Sequence, residues 1–212
     1  MGTPGPNCPG GLIKDDGSAE TGWGWVPTAI RGQYLQELNS GELPTRFLDR
    51  ICICWLRTRQ DADLDFDIVI YGQQADLPAA VPFAVVPAQV RGLPQGVPNA
   101  TFFEFALPNI EVPAGTFYIG PRWNPSLDQF FFVCADTTAT TPPTNLWFID
   151  DRAEGWDNTF TTTDPIFANH RAALIRPVAG SRIALDVPVG ATALAILILA
   201  LATAGLLRLW KL

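Results

Sequence analysis

Four aspartates alternate along one short run: in DADLDFD, Asp61, Asp63, Asp65 and Asp67 stand two residues apart. On a strand every second side chain points the same way, so these carboxylates would share a face and repel one another unless something neutralised them. Calcium suits that work, because it takes about six to eight hard oxygen ligands. A turn around residues 61–63 would carry the run toward DDGSAE, which holds Asp15, Asp16 and Glu20. Asp61, Asp63, Asp65, Asp15 and Asp16 are therefore the candidate calcium ligands. The EF-hand pattern is absent, since no Gly and terminal Glu follow at the required spacing. A solvated acidic face with arginines nearby is the competing reading.

Aromatic side chains are the second chemical resource. Of the seven tryptophans, Trp23 and Trp25 alternate in GWGW and would face one side of a strand, either into a core or out to a ligand. Facing outward, the pair would stack on the ring of a glycan. Catalytic patterns are scarce. Ser18, Ser40 and Ser126 lie outside any G-x-S-x-G turn, His170 is the sole histidine, and no H-E-x-x-H exists. Carboxylates are plentiful, but no spacing singles out a glycosidase-like pair. The expectation is a protein without catalysis and without an obligatory cofactor, calcium excepted.

The cysteines number four: Cys8, Cys52, Cys54 and Cys134. An even set suits disulfides in an oxidising compartment. In RICICWLR, Cys52 and Cys54 would point to one face of a strand and could not easily bond each other. We pair Cys54 with Cys134 and Cys8 with Cys52, with the exchanged pairing as the alternative. A zinc site would have only His170 to add and lacks paired C-x-x-C knuckles. Buried free thiols are the remaining choice.

These residues must be held by strands. The chain has 212 residues, with 18 Gly and 19 Pro, and it is 48% apolar but only 17% charged. That is too apolar for disorder and too rich in turn-formers for a helical bundle. Short β-branched and aromatic runs recur at 22–26, 33–38, 47–57, 66–71, 83–90, 101–106, 116–123, 129–134, 146–149 and 171–176, separated by clusters such as NSGELP and GLPQGVPN. In DFDIVIY the set Phe66, Ile68 and Ile70 would face a core. QYLQEL could form a short helix but lacks the length to stand alone. The pattern predicts an all-β, antiparallel two-sheet sandwich, jelly-roll-like, over residues 15–180, preceded by a disordered or loosely tethered segment, 1–14.

Residues 187–207, VPVGATALAILILALATAGLL, carry no charge and are about as long as a helix needs to cross a bilayer core. Residues 181–186 read as a linker and 208–212 as a basic cytoplasmic end. Arg208, Trp210 and Lys211 form the membrane boundary, and the positive-inside tendency places the body outside. The beginning, MGTPGPNCPGG, has neither the basic start nor the apolar stretch of a signal peptide, so a tail-anchored cytoplasmic topology competes. With 14 basic against 21 acidic residues, the net charge of −7 argues against a nucleic-acid partner.

RICICWLRT, DADLDFDIVIYG, TFYIGPRWNPSLDQFFFVCAD, RAALIRP and DDGSAETGWGW together resemble an uncharacterised bacterial extracytoplasmic β-rich domain, often found with an IPTL-CTERM or PEP-CTERM-like C-terminal sorting tail. The likeness covers roughly residues 8–180, and its most specific parts are the C-x-C-W strand and the W-N-P…F-F-x-C-A-D stretch. It implies export to the envelope and processing by an exosortase-like transpeptidase. At the sorting-motif position this chain has Val187, Pro188, Val189 and Gly190 where that family has Ile-Pro-Thr-Leu. The resemblance implies no activity or ligand. The expected role is structural or adhesive display at the cell envelope, anchored in the cytoplasmic membrane or released to the cell surface after processing. A carbohydrate- or calcium-binding module is the alternative.

Overall fold

The computed structural model describes residues 3–4, 11–24, 32–58, 63–93, 95, 100–123, 131–143, 145–149, 155–158 and 169–180. Their strands, in chain order, are β1 (Thr3–Pro4), β2 (Thr21–Gly24), β3 (Gly32–Asn39), β4 (Phe47–Arg57), β5 (Leu64–Gln74), β6 (Leu77–Pro78) and β7 (Ala84–Val90). There follow β8 (Thr101–Glu111), β9 (Thr116–Trp123), β10 (Phe131–Asp136), β11 (Leu146–Ile149), β12 (Asp157–Asn158), β13 (Ala172–Ala173) and β14 (Ile175–Ala179). A 3₁₀ turn at Ser40–Glu42 is the helical element among them. QYLQEL is strand, because β3 is paired by β9 on one side and β11 on the other.

Two antiparallel sheets result. In the first, β2, β10, β4 and β8 lie side by side, β1 adds to β8, and the stretch of β13 and β14 pairs first with β10 and then with β4. The second runs β12-β11-β3-β9-β5, with β6 and β7 both on the free side of β5. β4 and β5 show why the sheets face each other. In β4, Ile51, Ile53 and Trp55 enter the common core while Cys52, Cys54 and Leu56 form a separate apolar cluster on the opposite face. With both faces covered, the strand reads as the unbroken apolar run ICICWL. In β5, Phe66, Ile68 and Ile70 face the core as the alternation predicts, and Val69 and Tyr71 join a third cluster with Leu35, Tyr118 and Trp147.

Aromatic rings cross the gap between the sheets. Trp55 meets Phe66 edge-on at 5.0 Å, Phe66 meets Phe105 at 5.2 Å, and Trp23 stacks on Tyr34 at 4.7 Å. β3 passes so close to β9 that a Cβ on Gly120 would collide with the Tyr34 carbonyl, which requires glycine there.

The chain divides into one compact unit over residues 1–181 and a second over 182–212. Where residues 1–14 are described they are tied in: Thr3 and Pro4 pair with β8, and Leu12 N–H donates to the Pro177 carbonyl at 2.9 Å. Residues 1, 2 and 5–10 of the segment expected to be a loose tether lie outside the described residues. Residues 181–212, with the expected linker, span, sorting motif and basic end, lie outside the described residues. Among the described residues no helix is long and apolar enough to cross a membrane.

Candidate functional site

The outer face of the first sheet holds the chemistry. Cys54 and Cys134 form a disulfide with Cα atoms 5.3 Å apart, joining β4 to β10 within one sheet. Those strands pair as far as Trp55 and Val133 and then part, and Leu174 fills the fork. Its carbonyl accepts from Cys54 N–H at 3.0 Å and its own N–H donates to the Cys134 carbonyl at 3.0 Å. The bond closes a separation of 80 residues, worth about 4.5 kcal/mol on a chain-entropy account. Cys52 is disulfide-bonded as well, and Cys8, expected as its partner, lies outside the described residues.

Residues 11–20 run across this face. Asp15 is buried and receives Arg176, from Nε to Oδ2 at 3.0 Å and from Nη2 to Oδ1. The same guanidinium lies 4.4 Å from the centre of the Phe102 ring. Asp15 is thus committed to a cation of the chain itself and leaves the candidate calcium set.

Asp16 instead joins Glu20 and Asp136, whose ligand oxygens all lie within 4.8 Å of one another. Asp136 is fully buried. Its Oδ2 accepts from Asp16 N–H at 2.7 Å, and its Oδ1 accepts from Thr138 and Ala139 N–H, both at 2.7 Å. Asp16 accepts from Ser18 N–H at 2.9 Å and from the Thr138 hydroxyl at 2.9 Å. Bonds from Ser18, then from Thr138, hold its carboxyl below the ordinary value of 3.8. Glu20 accepts from Thr137 N–H at 2.9 Å and from the Ser18 hydroxyl. Beside Glu20 an open depression is lined by Thr21, Gly22, Leu56, Thr58 and Phe132.

The remaining predicted ligands stand elsewhere. Asp63 and Asp65 pair with Arg91 at 3.3 and 2.7 Å, and Asp67 pairs with Arg122 at 2.7 Å. The structure therefore does not gather Asp63 and Asp65 with Asp15 and Asp16, because arginines that flank or lie on the neighbouring strands reach the row first. Asp61 lies outside the described residues. Trp23 is 1% exposed and stacked in the core, so it cannot present a face to a sugar; Trp25 lies outside the described residues. His170 is also interior, bonded through Nδ1 to the Tyr34 hydroxyl at 3.2 Å, and burial lowers its pKa to about 4.

Asp136, Thr138 and Arg176 were missed as site residues. The signal for Asp136 was present: an Asp followed by Thr-Thr just after an apolar strand is the composition of a turn closed by its own carboxylate. Arg176 carried no such signal, since nothing local links it to a residue 161 positions earlier. No family model, curated protein or solved structure matches this chain.

Proposed function

We propose that this chain is an exported, non-catalytic display module of the cell envelope, held to the cytoplasmic membrane by residues 187–207 with its β domain outside. The disulfide chemistry carries the reading: Cys54 is bonded to Cys134 and Cys52 is bonded too, a state that persists outside the reducing cytosol. The architecture supports it. The order β2-β10-β4-β8 against β3-β9-β5-β7 is that of a jelly roll, a scaffold common in capsid and lectin domains. The likeness to envelope β-domains with a sorting tail points the same way, and processing by a transpeptidase at residues 187–190 belongs to the same proposal.

The test is thiol alkylation combined with protease shaving of intact spheroplasts. The expected chain resists alkylation until reduced, sediments with membranes and loses its β domain to external protease. A membrane-free chain that is alkylated at all four cysteines without reductant would overturn the proposal.

A second reading is favoured by the Asp16–Glu20–Asp136 group. Three carboxylates with oxygens this close, flanked by the Ser18 and Thr138 hydroxyls, fit a hard cation such as calcium. Calcium titration of chelator-treated protein tests it, and absence of both heat and thermal stabilisation ends it.

A further inference from the structure

All but one of the large exposed apolar side chains among the described residues fall in one stretch. Leu77, Val81, Phe83 and Val85 lie along β6, β7 and their connection, with Val81 73% and Phe83 57% exposed; Ile13 is the exception. No charged residue occurs between Asp76 and Arg91. An added strand is a poor occupant, because Pro87 lies within β7, the outer strand there, and proline is what blunts a sheet edge. The stretch offers side chains rather than backbone.

Strand register places it at one end of the sandwich. β14 ends with Ala179 beside Leu48, and Gly180 N–H donates to the Phe47 carbonyl at 2.8 Å. Leu48 faces Ile110, and the connection after β8 brings Pro113 beside Gly72. Gly72 faces Phe117, and the next residues of β5 turn directly into β6, with Gln74 opposite Leu77. Gly180, the last described residue, therefore lies at the end that carries Leu77, Val81 and Phe83. Of the charges at this end, Glu42 pairs with Lys14 and Glu111 with Arg46, while Asp76, in the turn between β5 and β6, accepts from the Gln73 side-chain amide at 3.1 Å.

The geometry points to a second lipid contact: the β6–β7 stretch, with Val81 and Phe83 foremost, docks on the surface of an uncharged phosphatidylcholine-like bilayer. This rests on the proposed anchoring by residues 187–207. In sequence, six residues, 181–186, separate Gly180 from the proposed anchor, a length of at most about 20 Å when fully extended. A run of apolar and aromatic side chains with no basic residue from 77 to 90 suits entry at the headgroup boundary rather than attraction to anionic lipid.

Full-length chain reconstituted into phosphatidylcholine vesicles, with or without brominated acyl chains, tests this as wild type, Phe83→Trp and Thr58→Trp. Thr58 is exposed just beyond the far end of β4, about 35 Å from its beginning. The fluorescence added by Phe83→Trp is expected to fall severalfold in brominated vesicles, that added by Thr58→Trp to stay unchanged, and Val81→Asp to reverse the quenching of Phe83→Trp. Equal behaviour of the two added signals in chain that floats with the vesicles overturns the docking and leaves the anchor standing. Chain that does not float overturns both.

Discussion

The acidic residues on the outer face of the first sheet and those along β5 meet the same repulsion by different means. Along β5, Asp63, just before the strand, and Asp65 are neutralised by Arg91 at the surface, and Asp67 by the half-buried Arg122. On the first sheet, Asp16, Glu20 and Asp136 are held by amides and hydroxyls, some from their own turns and some exchanged between the 16–20 segment and the turn after β10, and Asp15 by one buried guanidinium. Surface pairs are screened by salt and contribute little. Amides fixed by a turn are a property of the folded backbone, and a buried pair cannot lose one member without stranding the other. The first group of acids therefore reports the fold, and the second reports the surface.

The largest effect should come from the buried pair. Asp15→Ala or Arg176→Ala is expected to cost about 3–5 kcal/mol, read from urea midpoints, whereas the joint change Asp15→Leu with Arg176→Met should recover much of it. A single variant costing no more than an exposed pair would erase the contrast between the two regions.

Acid should come next. His170 titrates at about 4 when folded against 6.5 unfolded, so the native state binds fewer protons and stability falls as pH drops from about 6.5 to 4. The loss is on the order of 3 kcal/mol. Asp16, with its pKa held below 3.8, adds stability that is lost as pH falls further, through its lowered value. Stability measured from pH 7 to 4 should flatten in His170→Gln.

Calcium sharpens the comparison directly. At about one hundred times its dissociation constant it would add about 2.7 kcal/mol, seen as a raised Tm. Asp16→Asn should abolish that gain and Asp63→Asn should leave it. The smallest effect belongs to the exposed pair: Arg91→Gln should cost less than about 1 kcal/mol, and the cost should shrink in high salt.

Most of the framework was readable along the chain. The runs 47–57, 116–123 and 146–149 coincide with β4, β9 and β11, because period-two alternation and turn clusters are local signals. Boundaries strayed where pairing, not composition, extends a strand: β8 continues past Ala106 to Glu111 through a bulge that places Asn109 at φ 51°. The same-face placement of Cys52 and Cys54 followed from alternation alone.

The candidate site was less readable. DADLDFD advertised a cation site through spacing, yet the arginines that answer it stand 26 and 55 residues away, out of reach of any local rule. Trp23 offered the same ambiguity: alternation put it on a face, and only Tyr34, Trp123 and Phe148 around it made that face the interior.

Alternation and turn chemistry, which act between near neighbours, determined that this chain is built of strands and which side chains share a side. Which carboxylate meets an arginine, which meets an amide, and which tryptophan meets water depended on strands brought together from opposite ends of the chain. Those choices belong to the tertiary structure, because Coulomb and hydrogen-bond energies act over a few ångströms of space whatever the distance along the sequence.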